Sequence, residues 1–226
     1  MPCGSLQSDR LAMKNTPLRF AFLFLFLSLT SCQTAYYEFW EKLGLEKRDL
    51  LRDHVSKATR EQGQLQEEFQ DVLSRIRTEY QFEAGKLGEV YDRMKADHED
   101  AEGRYQQIRE RIDKIETISR DLFIEWKTEA ETIDSARLRE DSLAKLKVSK
   151  GRYQKMKASL DQMTKRLDPV LKKMKDYVLY LKHNLNAKSM NAIKLEAKSV
   201  EQQMKSLIQS LEKSIEESAE FSKTLK

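Results

Sequence analysis

Residues 146–181 read LKVSKGRYQKMKASLDQMTKRLDPVLKKMKDYVLYL. Within this stretch Leu146, Ser149, Tyr153, Met156, Leu160, Met163, Leu167, Val170, Met174, Tyr177 and Leu181 step by alternating threes and fours. Such steps average 3.5 residues and place all eleven side chains on one seam of a helix. A strand would need a period of two, which is nowhere sustained. The residues between the seam positions are mostly charged or polar, so the helix cannot bury its stripe alone and needs partner helices.

The same pattern recurs three more times. It runs through Leu51, Val55, Ala58, Gln62, Leu65, Phe69, Val72 and Ile76. A second run is Leu87, Tyr91, Met94, His98, Ala101, Tyr105, Ile108, Ile112, Ile115, Ser119, Leu122 and Trp126. The last is Ile193, Ala197, Val200, Met204, Leu207, Leu211 and Ile215. Gly85 and Gly88 mark a first turn, and Asp134-Ser135 suits the cap of a helix whose seam Leu138 opens. Asn184-Leu185-Asn186 marks a third turn, where an asparagine suits a C-cap because it tolerates the left-handed conformation, and Ser189 suits the next N-cap. The expected helices are 46–82, 87–133, 135–184 and 189–225, roughly 50–75 Å long. Pro169 falls inside the third and predicts a bend there. Short connections make successive helices antiparallel. The fold class is therefore all-α: an elongated up-down-up-down bundle of about four long coiled-coil-like helices.

Composition agrees and excludes much. Of 226 residues, 35% are charged and 39% apolar, with only 7 Gly and 3 Pro, too polar and turn-poor for a compact α/β enzyme. Basic and acidic residues nearly balance, 41 against 37 with a formal net charge of +4, which argues against a nucleic-acid binder and its basic stripe. No Gly-x-x-x-x-Gly-Lys phosphate loop is present. His54, His98 and His183 fall on different helices with no paired ligand spacing, so neither a metal nor a cofactor is expected. Acidic pairs such as Glu67-Glu68 and Glu216-Glu217 read as solvated faces, and no catalytic residue emerges. The chain is not expected to be an enzyme.

The N-terminus has a different character. Arg10, Lys14 and Arg19 precede an apolar run, Phe20 to Leu29, broken only by Ser28. Ten residues are half of what a bilayer span requires, so the run reads as an export signal, with Met13 an alternative start to Met1. It ends in Leu29-Thr30-Ser31-Cys32, which resembles the lipobox of bacterial lipoproteins. The resemblance implies acylation of the Cys32 thiol and cleavage before it, leaving a chain whose one cysteine is lipidated. Gln33, rather than Asp, resembles the outer-membrane sorting class. The expected organisation is a signal peptide at 1–31, a lipid-anchored linker at 32–45 and a helical bundle at 46–226. Tyr36, Tyr37, Phe39 and Trp40 in the linker are candidates for the membrane interface, where rings with a polar edge partition favourably.

Three segments carry a wider resemblance. Tyr36-Tyr37 with Glu41, Gly44 and Lys47-Arg48-Asp49, the middle set Leu122-Phe123, Glu125-Trp126 and Glu129, and the run Val178 to Ala187 resemble an uncharacterised bacterial family, domain-of-unknown-function family 2959. That family has no assigned activity, so the resemblance implies a helical envelope lipoprotein and nothing finer. At the first turn the family pattern expects a Gly-Gly-Asp loop where this chain has Gly85-Lys86-Leu87-Gly88. The turn residues Lys182, His183, Asn184 and Asn186 are candidates for partner binding, at the end of the bundle far from Cys32. The favoured function is a structural or adaptor lipoprotein, held in the outer membrane facing the periplasm and docking an envelope protein. A homo-oligomer stays open. The alternative is a small-ligand or lipid carrier with an apolar groove between helices.

Overall fold

The computed structural model describes residues 46–78 and 86–225. They form four helices: α1 (Lys47–Thr78), α2 (Leu87–Glu131), α3 (Ala136–His183) and α4 (Ala187–Lys223). No strand occurs among the described residues. The helices hold 32, 45, 48 and 37 residues, which gives lengths of about 48 to 72 Å. Each packs on two neighbours: α1 on α2, α2 on α3, α3 on α4, and α4 back on α1. The chain from Lys47 onward is one compact unit.

Cross-helix pairs show the antiparallel register directly. Lys47 meets Glu125, Glu61 meets Arg111, Glu68 meets Arg104 and Arg75 meets Asp97, so every step up α1 is a step down α2. Between α2 and α3, Glu116 pairs with Lys157 and the Tyr105 hydroxyl with Asp168. Between α3 and α4, Arg152 meets Glu220 and Lys173 meets Glu196. The ring closes where Gln66 of α1 donates to Glu212 of α4 at 3.1 Å. Partly exposed ion pairs contribute little stability each. Their consistent order nevertheless shows one register around the whole bundle.

The core follows the seams. In α1 Leu51, Val55, Ala58, Gln62, Leu65, Phe69 and Val72 are all buried. The α3 seam is buried from Leu146 to Leu181, with Tyr153 and Tyr177 half-buried. Leu138 does not open it, being 51% exposed. Its neighbours explain why: α1 begins opposite Glu125 and α4 runs out opposite Ser149, where Thr224 meets that hydroxyl at 3.1 Å. Among the described residues the first turns of α3 therefore have only α2 beside them.

In α4 the seam departs from the expected line after Leu211. It continues through Ser214, Ser218, Phe221 and Leu225, all buried, and leaves Ile215 half-buried. These still step by threes and fours, but serines carry no apolar signal.

The helix ends also differ in detail. Gly88 lies inside α2, whose N-cap position is Lys86. Ser135 stands at the N-cap of α3 but its hydroxyl makes no capping bond; its carbonyl accepts the Arg139 N–H at 2.9 Å instead. The Arg139 guanidinium also donates to the Ile133 carbonyl and closes the hairpin. Because α4 starts at Ala187, the residue before it is Asn186, and Ser189 is internal. Pro169 is exposed, and α3 runs through it unbroken.

Candidate functional site

Cys32, with Leu29, Thr30 and Ser31, lies outside the described residues, as do Tyr36, Tyr37, Phe39, Trp40 and Gly85. What is described near that end is the base of the bundle, where the chain enters at Lys47. Trp126 is held on two sides there. Its indole N–H donates to the Ser142 hydroxyl at 2.9 Å, and the Arg48 guanidinium sits 4.8 Å from the ring centroid. Beside it, Phe123 meets Tyr153 edge-on at 5.6 Å, and Tyr153 meets Phe221 at the same separation. Three helices are thereby joined through their rings, an arrangement that stabilises beyond simple area burial. Burial, then the nearby Glu116, pushes the Tyr153 hydroxyl up from its usual value. The large middle-motif residues Phe123 and Trp126 are thus packing anchors.

The opposite end carries Lys182, His183, Asn184 and Asn186. Beneath them Leu87, Val90 and Met94 of α2, Leu181 of α3 and Ile193 of α4 form a closed plug. Ile76 of α1 packs against it with Tyr91, Tyr177 and Val178, so the start of α2 and the α3–α4 turn share one end. Asn184 caps α3, but not in the left-handed conformation: its φ is −139°. Its backbone N–H donates to the Leu181 carbonyl at 3.1 Å and its side-chain amide to the Tyr180 carbonyl at 3.0 Å. Its polarity is largely used inside the turn. Lys182, His183 and Asn186 are exposed.

Nearly three turns deeper, the Glu196 carboxylate accepts Lys173 at 2.6 Å and the Tyr177 hydroxyl at 3.4 Å. The Lys173 contact holds Glu196 below its ordinary value, and the same bond raises Lys173. Burial, then Glu196, pushes Tyr177 upward.

Features that did not stand out in the sequence are apolar side chains off the seams. Leu179, Tyr180 and Leu185 are 50%, 40% and 49% exposed, and Leu195 is 86% exposed. Each breaks the heptad spacing, the one local signal that could have marked them.

Among the described residues no group of three His, Cys, Asp or Glu is placed to hold a metal ion. His54 and His98 are half-buried on α1 and α2, and His183 is exposed at the tip, so the three histidines are not brought together. Among those residues no helix is long and apolar enough to cross a membrane.

No curated protein and no solved structure matches the chain. A family model described as a protein of unknown function, DUF2959, matches residues 36–225. The match starts at Tyr36, so the aromatic stretch falls within the family region and Cys32 outside it. It takes in all four helices, and on that span the chain belongs to the DUF2959 family.

Proposed function

We propose that this protein is a lipid-anchored spacer. Acyl groups on Cys32 hold one end at a membrane of the bacterial envelope, in the outer membrane on its periplasmic side. The bundle then carries a docking tip away from that surface, and no catalysis is involved. The observation that carries this reading is the closed, fully packed length of the bundle. Leu51, Leu65, Ile108, Met163, Leu167, Leu207 and Leu211 are all at 0% exposure, which supports a filled interior over an open carrier groove. Interiors packed this way transmit position rigidly. Lys47, the first residue of α1, pairs with Glu125 at the end of the bundle away from the Asn184 turn, which supports an entry at one end and a docking tip at the other.

The test is Cys32→Ser in the full chain. Acylated protein should pellet with membranes and carry the added mass of its acyl groups, and the variant should lose both. Unchanged mass and pelleting in the variant would overturn the anchor. Gln33→Asp should move the protein toward the inner membrane of an enterobacterial-type host.

A further inference from the structure

The end of the α3–α4 hairpin combines a lysine excess with exposed apolar side chains. Residues 172–198 contain seven lysines against two acids, Asp176 and Glu196. Glu196 is committed to Lys173. Lys172, Lys175, Lys182, Lys188 and Lys198 are all exposed. The exposed leucines sit among them. On α3, Leu179 has Lys172, Lys175, Lys182 and His183 at minus seven, minus four, plus three and plus four, the spacings that share one helix face. On α4, Leu195 has Lys188 and Lys198 at minus seven and plus three. Tyr180 and Leu185 add further exposed apolar surface to the same hairpin.

We infer that this hairpin end docks on an anionic lipid surface, Leu179, Tyr180, Leu185 and Leu195 entering the headgroup region while the surrounding lysines meet lipid phosphates. The inference deepens the docking tip of the proposed function by naming what it meets.

Three features favour lipid over a protein partner. After Arg166 every cation of the chain other than His183 is lysine, and lysine is depleted at protein interfaces whereas arginine is enriched. Lysine stems lie along an apolar surface while their ammonium groups stay in the headgroup layer. Clustered lysines beside exposed leucine and an aromatic ring make the pattern of interfacial helices on anionic lipid. The start of α2 fixes the approach. Residues 87–102 hold six acids against two basic residues, so this part of the same end is repelled and the hairpin side faces the membrane.

The experiment uses the full chain carrying Cys32→Ser, so that no acyl group contributes. Flotation is measured on phosphatidylcholine vesicles and on phosphatidylcholine with about one-third phosphatidylglycerol, the anionic probe. Binding should be stronger on the anionic vesicles and should weaken as salt rises. The double variant K182E/K188E should lose on the order of 20-fold of the anionic binding, since each lysine near a charged surface contributes a several-fold factor. L179S/L195S should weaken it as well. All four side chains are exposed, and unchanged helical circular dichroism verifies the fold. K182Q/K188Q gives the same reading at lower perturbation.

Equal binding to both lipids, or anionic binding that neither lysine variant reduces, overturns the inference. So does capture of a single envelope protein by a crosslinker at residue 185 without any anionic preference. Failure of the anchor reads separately, as acylated wild-type protein that does not float on neutral vesicles.

Discussion

The hydroxyl of Tyr105 on α2 donates to the carboxylate of Asp168 on α3 at 2.5 Å, one residue before Pro169. The Tyr105 ring is buried while Asp168 is exposed, so the bond ties a core side chain to the surface of the neighbouring helix. Burial, then this bond, pushes the Tyr105 hydroxyl from 10.0 up to about 12. A pKa raised on folding contributes stability that is complete below the unfolded value and is lost as pH climbs through the folded one. Unfolding should therefore become easier between pH 10 and 12. Tyr105→Phe should cost about 1 kcal/mol at neutral pH and flatten that alkaline loss. Urea midpoints at pH 7, 10 and 11.5 check both effects, and an unchanged alkaline slope in the variant would assign the loss elsewhere.

His54 behaves in the opposite sense. Burial, opposed by Asp53 and reinforced by Lys114 and Arg111, holds its imidazole below 6.5. The folded state favours neutral His54, so its contribution is present above pH 6.5 and is lost as pH falls through the lowered value. His54→Gln should reduce the fall in stability between pH 7 and pH 5. Thermal unfolding of both proteins across that range measures it, and parallel curves would exclude His54 as the source.

Gln62 lies fully buried on the α1 seam, and neither its amide oxygen nor its nitrogen has a partner among the described residues. The pairing of Gln66 with Glu212 brings it level with Ser214 and Ser218, of which Ser214 is likewise buried with an unpaired hydroxyl. An unsatisfied buried amide costs about 1–3 kcal/mol, and leucine of similar volume removes that cost. Gln62→Leu should raise Tm by several degrees. A lower Tm would mean that ordered water bonds the amide in solution.

Trp40 and Trp126 are the two tryptophans of the chain. Trp126→Phe forfeits the bond to Ser142 and weakens the stacking of Arg48, and should cost about 1–2 kcal/mol. It also isolates Trp40. If Tyr36, Tyr37, Phe39 and Trp40 lie at the membrane interface, Trp40 emission should shift to the blue when the acylated variant enters vesicles, and lipid-borne quenchers should reach it. Emission identical to that of the unacylated form would return these rings to the bundle base.

Heptad spacing is a local property, and it was enough to read the helices. Those expected at 87–133 and 135–184 are observed at Leu87–Glu131 and Ala136–His183, and α4 begins two residues earlier than expected. The described part of the first, Lys47–Thr78, lies inside the expected 46–82. Even Gln62 and Ser119 were correctly placed on buried seams by their spacing alone. The tip residues were legible only as a turn rich in donors and acceptors. That Asn184 consumes its own polarity in capping, while Leu179 and Leu195 stand exposed among lysines, depends on which faces the neighbouring helices leave uncovered.

By itself the sequence determined the four helices, their antiparallel order and most of the buried stripe, because periodicity and short turns act within a few residues. Only the tertiary structure decided which side chains beyond Leu211 enter the core. Serine and isoleucine at 214 and 215 compete for the interior, and apolar character alone favours Ile215. The choice fell to Ser214, Ser218 and Phe221, which continue the seam facing the other helices, while Ile215 is left at the edge. Likewise Leu138 is apolar yet exposed: eight residues before Leu146 it falls off the steps of three and four, and α1 and α4 have no described residue beside it. Burial is a property of what lies opposite, and that is set by the lengths at which separate helices begin and end.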